Sequence, residues 1–496
     1  MHILFITEGT YPYVMGGVST WCDQIISGLS EHSFEVLALT GPVAASAVYP
    51  RPNNVKKLSQ LAIWRRRKRV RAPRKKDRAA FEESLSLLLG LLDKDVLAFS
   101  EGLRQLATLG DYVDLWSLFE QRSVWRFIHA RLHRLLPYNP SLAEIALCVN
   151  WLKSALVPLL YIPPKADLVH TVANGLAAVP AWLASKMHGI PLVLSEHGVY
   201  LRERYLGFSD EGDTPALKLL RSSFYQTLAR LMYQHADQIL SVSTFNRRWQ
   251  LELGASSART QVIPNGVAPG KLIRLEPKKQ DVPTVVWVGR IDPLKDLETL
   301  LSAFAETRRT LPTAQLKLFG PVPEGNEQYY QRLLKQIQDL QLGDAVSFMG
   351  QINPVEDAFA TGDVVALSSV SEGFPYTVVE AMMCAKAVVA TRVGGVGEAL
   401  GETGKLVPPQ NAQAFGAALT ELLQDEPLRL ESGQRARARA LKRFTLAQML
   451  DAYRDVYGTL FAPASVRLDD PVLLSDFEPD TVPGSDARDI LIEGDT

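Results

Sequence analysis

The sequence predicts an α/β protein of two doubly wound, Rossmann-like domains facing each other across a cleft, with a helical insertion in the first. Three observations carry that expectation. Short apolar strands alternate with amphipathic helices at the start of the chain and again through its second half, as in a parallel sheet covered by helices. A stretch broken by Pro and Gly, Val267–Val282, divides the alternation into two blocks. The chain has 496 residues, too many for one compact domain. With 47% hydrophobic and 22% charged residues it is neither disordered nor collagen-like in composition.

In the first block, Ile3–Thr7 reads as a strand, its apolar run too short for the core of an export signal. Glu8–Gly17 is a turn-rich loop, Val18–Leu29 an amphipathic helix and Phe34–Leu39 the next strand. The pattern stops at Pro42, and residues from about 50 to 165 are expected to form the helical insertion. Arg65 to Arg78 holds ten Lys or Arg residues at its start. That run is either the solvated face of a helix or a docking surface for anionic lipid or an acidic partner. Leu142–Ile162 is the most apolar long stretch, but Glu144, Asn150 and Lys153 interrupt it, and no membrane span is expected.

The rhythm resumes with strands at Asp167–His170, Pro191–Glu196, Gln238–Val242 and Gln261–Pro264. Helices Gly175–Lys186, Phe224–His235 and Thr244–Leu253 separate them. Beyond the linker, strands fall at Thr284–Val288, Gln315–Phe319, Val346–Met349, Asp363–Ser368 and Ala387–Thr391. The expected division is therefore a first domain over 1–267 and a second over 268–443. A helix over 444–462 is expected to pack back on the first domain. The tail over 463–496 has nine acidic residues against two arginines, a composition from which disorder is expected.

Charge and cysteine usage narrow the function. Fifty-three basic against 54 acidic residues leave a net charge of −1, which gives no global attraction for nucleic acid. Cys22, Cys148 and Cys384 lie far apart with no metal-ligand spacing, so neither a disulfide framework nor structural zinc is expected, in keeping with a reducing cytoplasm.

Four segments at strand ends carry candidate chemistry. Gly16 and Gly17 precede the first helix, where a bare backbone and a helix N-terminus suit a phosphate, although Gly-Gly is equally a tight turn. Arg290 and Lys295 lie five residues apart after the strand Thr284–Val288. They suit a diphosphate unless they simply pair with Asp292 and Asp296. Glu372, Gly373, Phe374, Pro375 and Glu380 form a carboxylate, a tight turn and a helix with a second carboxylate, a layout suited to sugar or ribose diols. The competing reading is helix capping by Ser371 and Glu372. His197 ends one strand and His170 another; a lone histidine there is either structural or placed to face a ligand.

Together these segments resemble the retaining GT-B glycosyltransferases of family 4. Glu372 and Glu380 have the E-x7-E spacing, and Gly289-Arg290 with Lys295 resembles the phosphate-binding pair. Asn265-Gly266-Val267 resembles the interdomain signature, and Gly394-Gly395-Val396 with Glu398 the late Gly-Gly loop. The front half is similar to PelF-type exopolysaccharide enzymes. The matching stretches are Glu8–Val14 with Gly16–Ser19, and Glu196–Tyr200 with Arg202-Glu203-Arg204. The resemblance implies a GT-B fold and transfer of a hexose, with retention, from a nucleotide diphosphate sugar to a glycan acceptor. UDP is the implied nucleotide, and Gly320-Pro321-Val322-Pro323 a candidate wall for its base.

In that reading His197 faces the sugar, Glu372 grips its hydroxyls, Glu380 takes the ribose, and Arg290 and Lys295 stabilise the leaving diphosphate. His170, Asn265 and Glu398 have supporting roles. No metal or other cofactor is expected, because the only nearby Asp-x-Asp, Asp93-Lys94-Asp95, follows a helical run. The implied location is cytoplasmic, peripheral at the inner membrane, with a polysaccharide export complex or the anionic membrane itself meeting Arg65–Arg78. An epimerase or sugar-nucleotide hydrolase on the same scaffold, or a non-catalytic nucleotide-sugar-binding protein, are the rival readings.

Overall fold

Runs such as Ile3–Ile6 and Val285–Trp287 can be buried on both faces only where helices cover both sides of a parallel sheet. The computed structural model, which describes residues 1–41, 46–63, 71–207, 213–270, 272–274 and 280–461, builds such a sheet twice. The first runs in the order β3-β2-β1-β4-β5-β6-β7. Its strands are β1 (His2–Glu8), β2 (Ser33–Thr40), β3 (Val55–Ala62), β4 (Leu168–Thr171), β5 (Leu192–Glu196), β6 (Gln238–Ser241) and β7 (Thr260–Val262). The second runs β10-β9-β8-β11-β12-β13. Its strands are β8 (Thr284–Val288), β9 (Gln315–Phe319), β10 (Val346–Gly350), β11 (Val364–Leu367), β12 (Ala387–Thr391) and β13 (Lys405–Val407). Every pairing is parallel. Strand order reverses between β1 and β4 and between β8 and β11, which opens a crevice at the carboxyl ends of each sheet.

Two strands depart from expectation. The stretch expected to be helical from about residue 50 begins with β3, which pairs with β2 from Phe34↔Val55 to Thr40↔Ala62. Exposed Lys56 and Lys57 mark it as an edge strand, and that polar pattern concealed it in the sequence. At the far edge of the second sheet, β13 has only three residues. The helix expected from Phe224 starts nine residues earlier, at Pro215, with Thr214 as its N-cap.

The insertion proper is helical: Lys75–Leu88, Val96–Gly110, Arg122–His133 and Leu142–Ala155. Its apolar core continues from Leu4 and Ile6 of β1 through Phe81, Phe99 and Leu103 to Phe224. Gly102 allows the closest crossing, since a Cβ there would stand 2.4 Å from the Leu88 nitrogen. Leu142–Leu160 is, against expectation, long and apolar enough to cross a membrane by length and composition. Here 56% of it is buried within the protein as a core helix. Of the basic run, Arg65–Arg69 lie outside the described residues. Arg71 forms a fork on Asp77 (2.6 and 2.8 Å), while Arg74, Lys75, Lys76 and Arg78 are exposed.

The helix Leu446–Phe461 returns to the first sheet. Its buried residues Met449, Tyr453, Val456, Tyr457 and Leu460 recur every three or four positions, one stripe of a helix, and join Ile3, Phe5, Trp21 and Ile25 in a single cluster. At the centre of that cluster is His170, fully buried on β4. Its Nδ1 lies 2.6 Å from the Tyr457 hydroxyl and its Nε2 lies 2.8 Å from Ser195 Oγ. Burial holds the imidazole down to about 3, so it is neutral and satisfied on both sides. Tyr457→Phe should leave Nδ1 unpaired in the core, costing about 1–3 kcal/mol. The check is a urea melt: the midpoint should fall below that of the parent protein, and an unchanged midpoint would contradict this role for the tyrosine.

Candidate active site

The candidate site residues converge because both crevices open toward one another. After β8, Gly289 follows the strand and Arg290 projects at the loop surface, its guanidinium 3.8 Å from Asp292. Lys295 does not pair with Asp292 or Asp296. Its Nζ lies 2.5 Å from Glu372 Oε1, joining the β8 loop to the β11 loop. Asp292 and Asp296 instead accept from backbone nitrogens of Leu294 and Thr299 as local caps. The Pro321 carbonyl of the candidate wall accepts from the Ile291 nitrogen (2.9 Å), so that segment borders the same loop.

Glu372 is held from two sides, by Lys295 and by the Ser369 hydroxyl, which donates to the same oxygen at 2.6 Å. The capping reading fails here, because the helix begins at Tyr376 with Pro375 at its N-cap and no side-chain cap. Glu380 is the fifth residue of that helix, a little over one turn in. Among the described residues no group hydrogen-bonds its carboxylate, and burial, with Glu356 nearby, pushes its pKa up to about 7. Phe374 turns inward against Phe444 (5.2 Å between ring centroids), so only its backbone is left to line a ligand.

His197 follows β5 on the opposite sheet. Its ring meets Trp21 edge to face at 4.6 Å, and its Nε2 is buried with no partner. Burial lowers its pKa to about 3, so it is a neutral hydrogen-bonding group rather than a cation. An orphaned polar atom at a strand end is where a ligand hydroxyl can bind. The two sheets touch at this point. A Cβ on Gly373 would stand 1.8 Å from the His197 carbonyl oxygen, and the Gly395 nitrogen donates to the Gly373 carbonyl at 3.0 Å. Gly17 faces the Tyr376 ring, 3.5 Å from where its Cβ would be, whereas Gly16 has open space.

The supporting residues prove to be ties between the domains. Asn265 Nδ2 donates to the Phe374 carbonyl at 3.1 Å. The Glu398 carboxylate accepts from the backbone nitrogens of Thr244 (2.8 Å) and Phe245 (3.0 Å), capping a first-domain helix, Thr244–Glu252, from the second domain. His170 lies in the core below. Sequence reasoning gave no role to three groups, although Arg202 stands in one of the quoted stretches. Asn246 donates to the His197 carbonyl at 3.0 Å, Ser369 holds Glu372, and Arg202 donates to Ser371 Oγ at 3.0 Å. Serine three residues before Glu372 was the one local signal; Asn246 becomes visible only when the first domain folds, and Arg202 only when the two halves meet.

Asp93 pairs with Arg131, and Asp95 caps the helix Val96–Gly110. Among the described residues no three His, Cys, Asp or Glu side chains are grouped as metal ligands.

Two doubly wound sheets whose switch-point loops bring cations, carboxylates and glycine turns together make up a GT-B protein. Solved structures share the fold. Anabaena HepE in complex with UDP superposes with a TM-score of 0.60 at 19% identity, over 92% of this chain and 100% of that one. Sucrose-phosphate synthase from Thermosynechococcus elongatus gives 0.60 at 20% identity, over 93% and 99%. The chain belongs to the glycosyltransferases: residues 271–439 match the family described as "Glycosyl transferases group 1", and residues 1–258 match a "Domain of unknown function (DUF3492)". D-inositol 3-phosphate glycosyltransferase of Kineococcus radiotolerans is 30% identical over 319 residues, 59% of this chain and 71% of that protein. Phosphatidyl-myo-inositol mannosyltransferase of Mycolicibacterium smegmatis is 31% identical over 259 residues, 49% of this chain and 64% of that protein.

Glu380 makes the free protein sensitive to pH. With its folded pKa raised to about 7, against about 4.3 for an exposed glutamate, folding favours the protonated form. That contribution is complete below the unfolded value and is lost as pH rises through 7. Glu380→Gln should therefore raise the melting temperature more at pH 8 than at pH 5.5. Thermal scans at both pH values test this, and an equal shift at the two would contradict it.

Proposed function

We propose that this glycosyltransferase moves a hexose, with retention, from a UDP-sugar to a glycan acceptor without a metal ion. The observation that carries the reading is the loop with Arg290 and Lys295, tied through Lys295 to Glu372 on a second loop that leads into the helix of Glu380, opposite the orphaned Nε2 of His197. Breaking the anomeric C–O bond leaves an oxocarbenium-like sugar and a diphosphate of growing negative charge. Arg290 and Lys295 stabilise that charge by preorganised electrostatics. Lys295 can serve both groups, since an ammonium has three donors and Glu372 takes one. Glu372, already oriented by Ser369, grips sugar hydroxyls; Glu380, protonated or not, offers a partner for the ribose diol; His197 holds a hydroxyl near the reacting carbon. The nucleotide is inferred from HepE, whose solved complexes hold UDP and UDP-glucose.

A role in exopolysaccharide assembly rests on the resemblance of the front half to PelF-type enzymes. So does a cytoplasmic location with peripheral attachment to an anionic membrane or export complex. Exposed Arg74, Lys75, Lys76 and Arg78 are the described part of the surface that would take part. Turnover of donor to free sugar without acceptor would instead mark a hydrolase.

Arg290→Ala and Lys295→Ala should each lower turnover by orders of magnitude, since removing one preorganised donor costs about 2.7–4 kcal/mol of transition-state stabilisation. Steady-state rates with and without EDTA check this. Full activity in the double variant, or loss of activity in EDTA, would contradict the charge assignment. A second expectation separates the glutamates. Glu372→Ala should bind UDP at least as well as the parent, because it frees Lys295, yet transfer sugar poorly. Glu380→Ala should weaken UDP itself. Calorimetry with UDP decides, and the opposite order would reverse the two roles.

A further inference from the structure

Two arginines on the helix Tyr200–Gly207 are used differently. Arg204 is committed to the first domain: Nη2 donates to the Tyr200 hydroxyl at 2.7 Å, and its guanidinium lies over the Tyr200 and Tyr225 rings. The Tyr200 hydroxyl in turn donates to Glu8 at 2.8 Å, so this arginine belongs to a closed internal network. Arg202 is left open. Its plane is set by Phe245, 5.4 Å below, and Nη1 donates to Ser371 Oγ at 3.0 Å. Among the described residues no other acceptor meets it and no carboxylate comes within 4.0 Å. The guanidinium is nonetheless partly buried, and burial lowers its pKa.

Glu203, the next residue, is close enough for its charge to be felt at Arg202 but forms no ion pair with it. That carboxylate lies over Gly198, where a Cβ would stand 1.6 Å from Oε1.

A partly desolvated, oriented guanidinium with unused donors is a fork awaiting an oxyanion. Its position identifies which one. Ser371 precedes Glu372, and Gly373 packs on the His197 carbonyl, so Arg202 borders the place where the two sheets meet, on the side of the first domain. The donor diphosphate already has Arg290 and Lys295 on the other sheet. Resting on the transferase reading above, we infer that Arg202 binds an oxyanion substituent of the acceptor sugar, a carboxylate or a phosphate. The acceptor is then an acidic sugar rather than a neutral one.

The test uses the full chain saturated with UDP, titrated by calorimetry with D-glucuronate, glucose 6-phosphate and glucose. At least one of the acidic sugars should bind about tenfold or more tightly than glucose. Which of the two does so tells carboxylate from phosphate. That preference should vanish in Arg202→Gln and survive only in part in Arg202→Lys, while UDP affinity stays within about twofold of the parent. Equal or absent binding of all three sugars, or a preference that persists in Arg202→Gln, would overturn the inference. Equal loss of UDP and sugar affinity in Arg202→Gln would also overturn it, marking Arg202 as a latch between domains. The titrations are repeated without UDP. Failure of UDP to bind at all refutes the donor reading, while the Arg202 comparison still decides the acidic-sugar site.

Discussion

The contact on which the site depends is the approach of Gly373 to the His197 carbonyl oxygen, where a single Cβ would stand 1.8 Å from that oxygen. No side chain fits, so the loop after β11 of the second sheet reaches the end of β5 only because residue 373 has none. The same economy is repeated beside it. A Cβ on Gly394, at φ +51, would meet the Glu372 carbonyl at 1.6 Å, and one on Gly395 would stand 2.5 Å from the Gly373 carbonyl. Three glycines thus stack two loops of one domain against a strand end of the other. Under the proposed function, misplacement of about 1 Å in such an assembly can cost about 100-fold in rate, which gives a reason for bare backbone at this contact.

Polar ties hold that contact on both flanks. Asn246 fixes the His197 carbonyl, Asn265 the Phe374 carbonyl, and Glu398 the first turn of the helix that carries Asn246. Behind them the helix Leu446–Phe461 crosses back, and Tyr457 completes the hydrogen bonding of buried His170. The first domain therefore has a core partly supplied from the end of the chain, and its geometry toward the second is set by several short contacts rather than by a flexible linker. The charges proposed to face a ligand are the ones the fold leaves incompletely used: Arg290 at the surface, Lys295 shared with Glu372, and the lone carboxylate of Glu380.

Much of this was legible in the sequence, for a physical reason. Strands buried on both faces read as apolar runs, so β8 and β12 fall at the expected residues. The edge strand β3 was hidden because exposed Lys56 and Lys57 break the apolar run. Side chains near the site were harder to assign. Glu398 and Asn265 carry groups that could bind a ligand, yet their partners lie more than 100 residues away in the sequence, and nothing local announces that they are already taken. Phe374 sits in the right turn, but an aromatic ring beside a core has a cheaper place to go. Arg202 acquires meaning only from Ser371 of the opposite half, and Asn246 from His197, 49 residues away in its own half.

The central claim is that a nucleotide diphosphate lies between the two sheets, on the cations of the second. A crystal structure of the full chain with UDP tests it most directly. The account predicts diphosphate oxygens at about 3 Å, hydrogen-bond distance, from Arg290 and Lys295, with the ribose hydroxyls on Glu380. A diphosphate seated elsewhere, with Lys295 still bound to Glu372 alone, would contradict it.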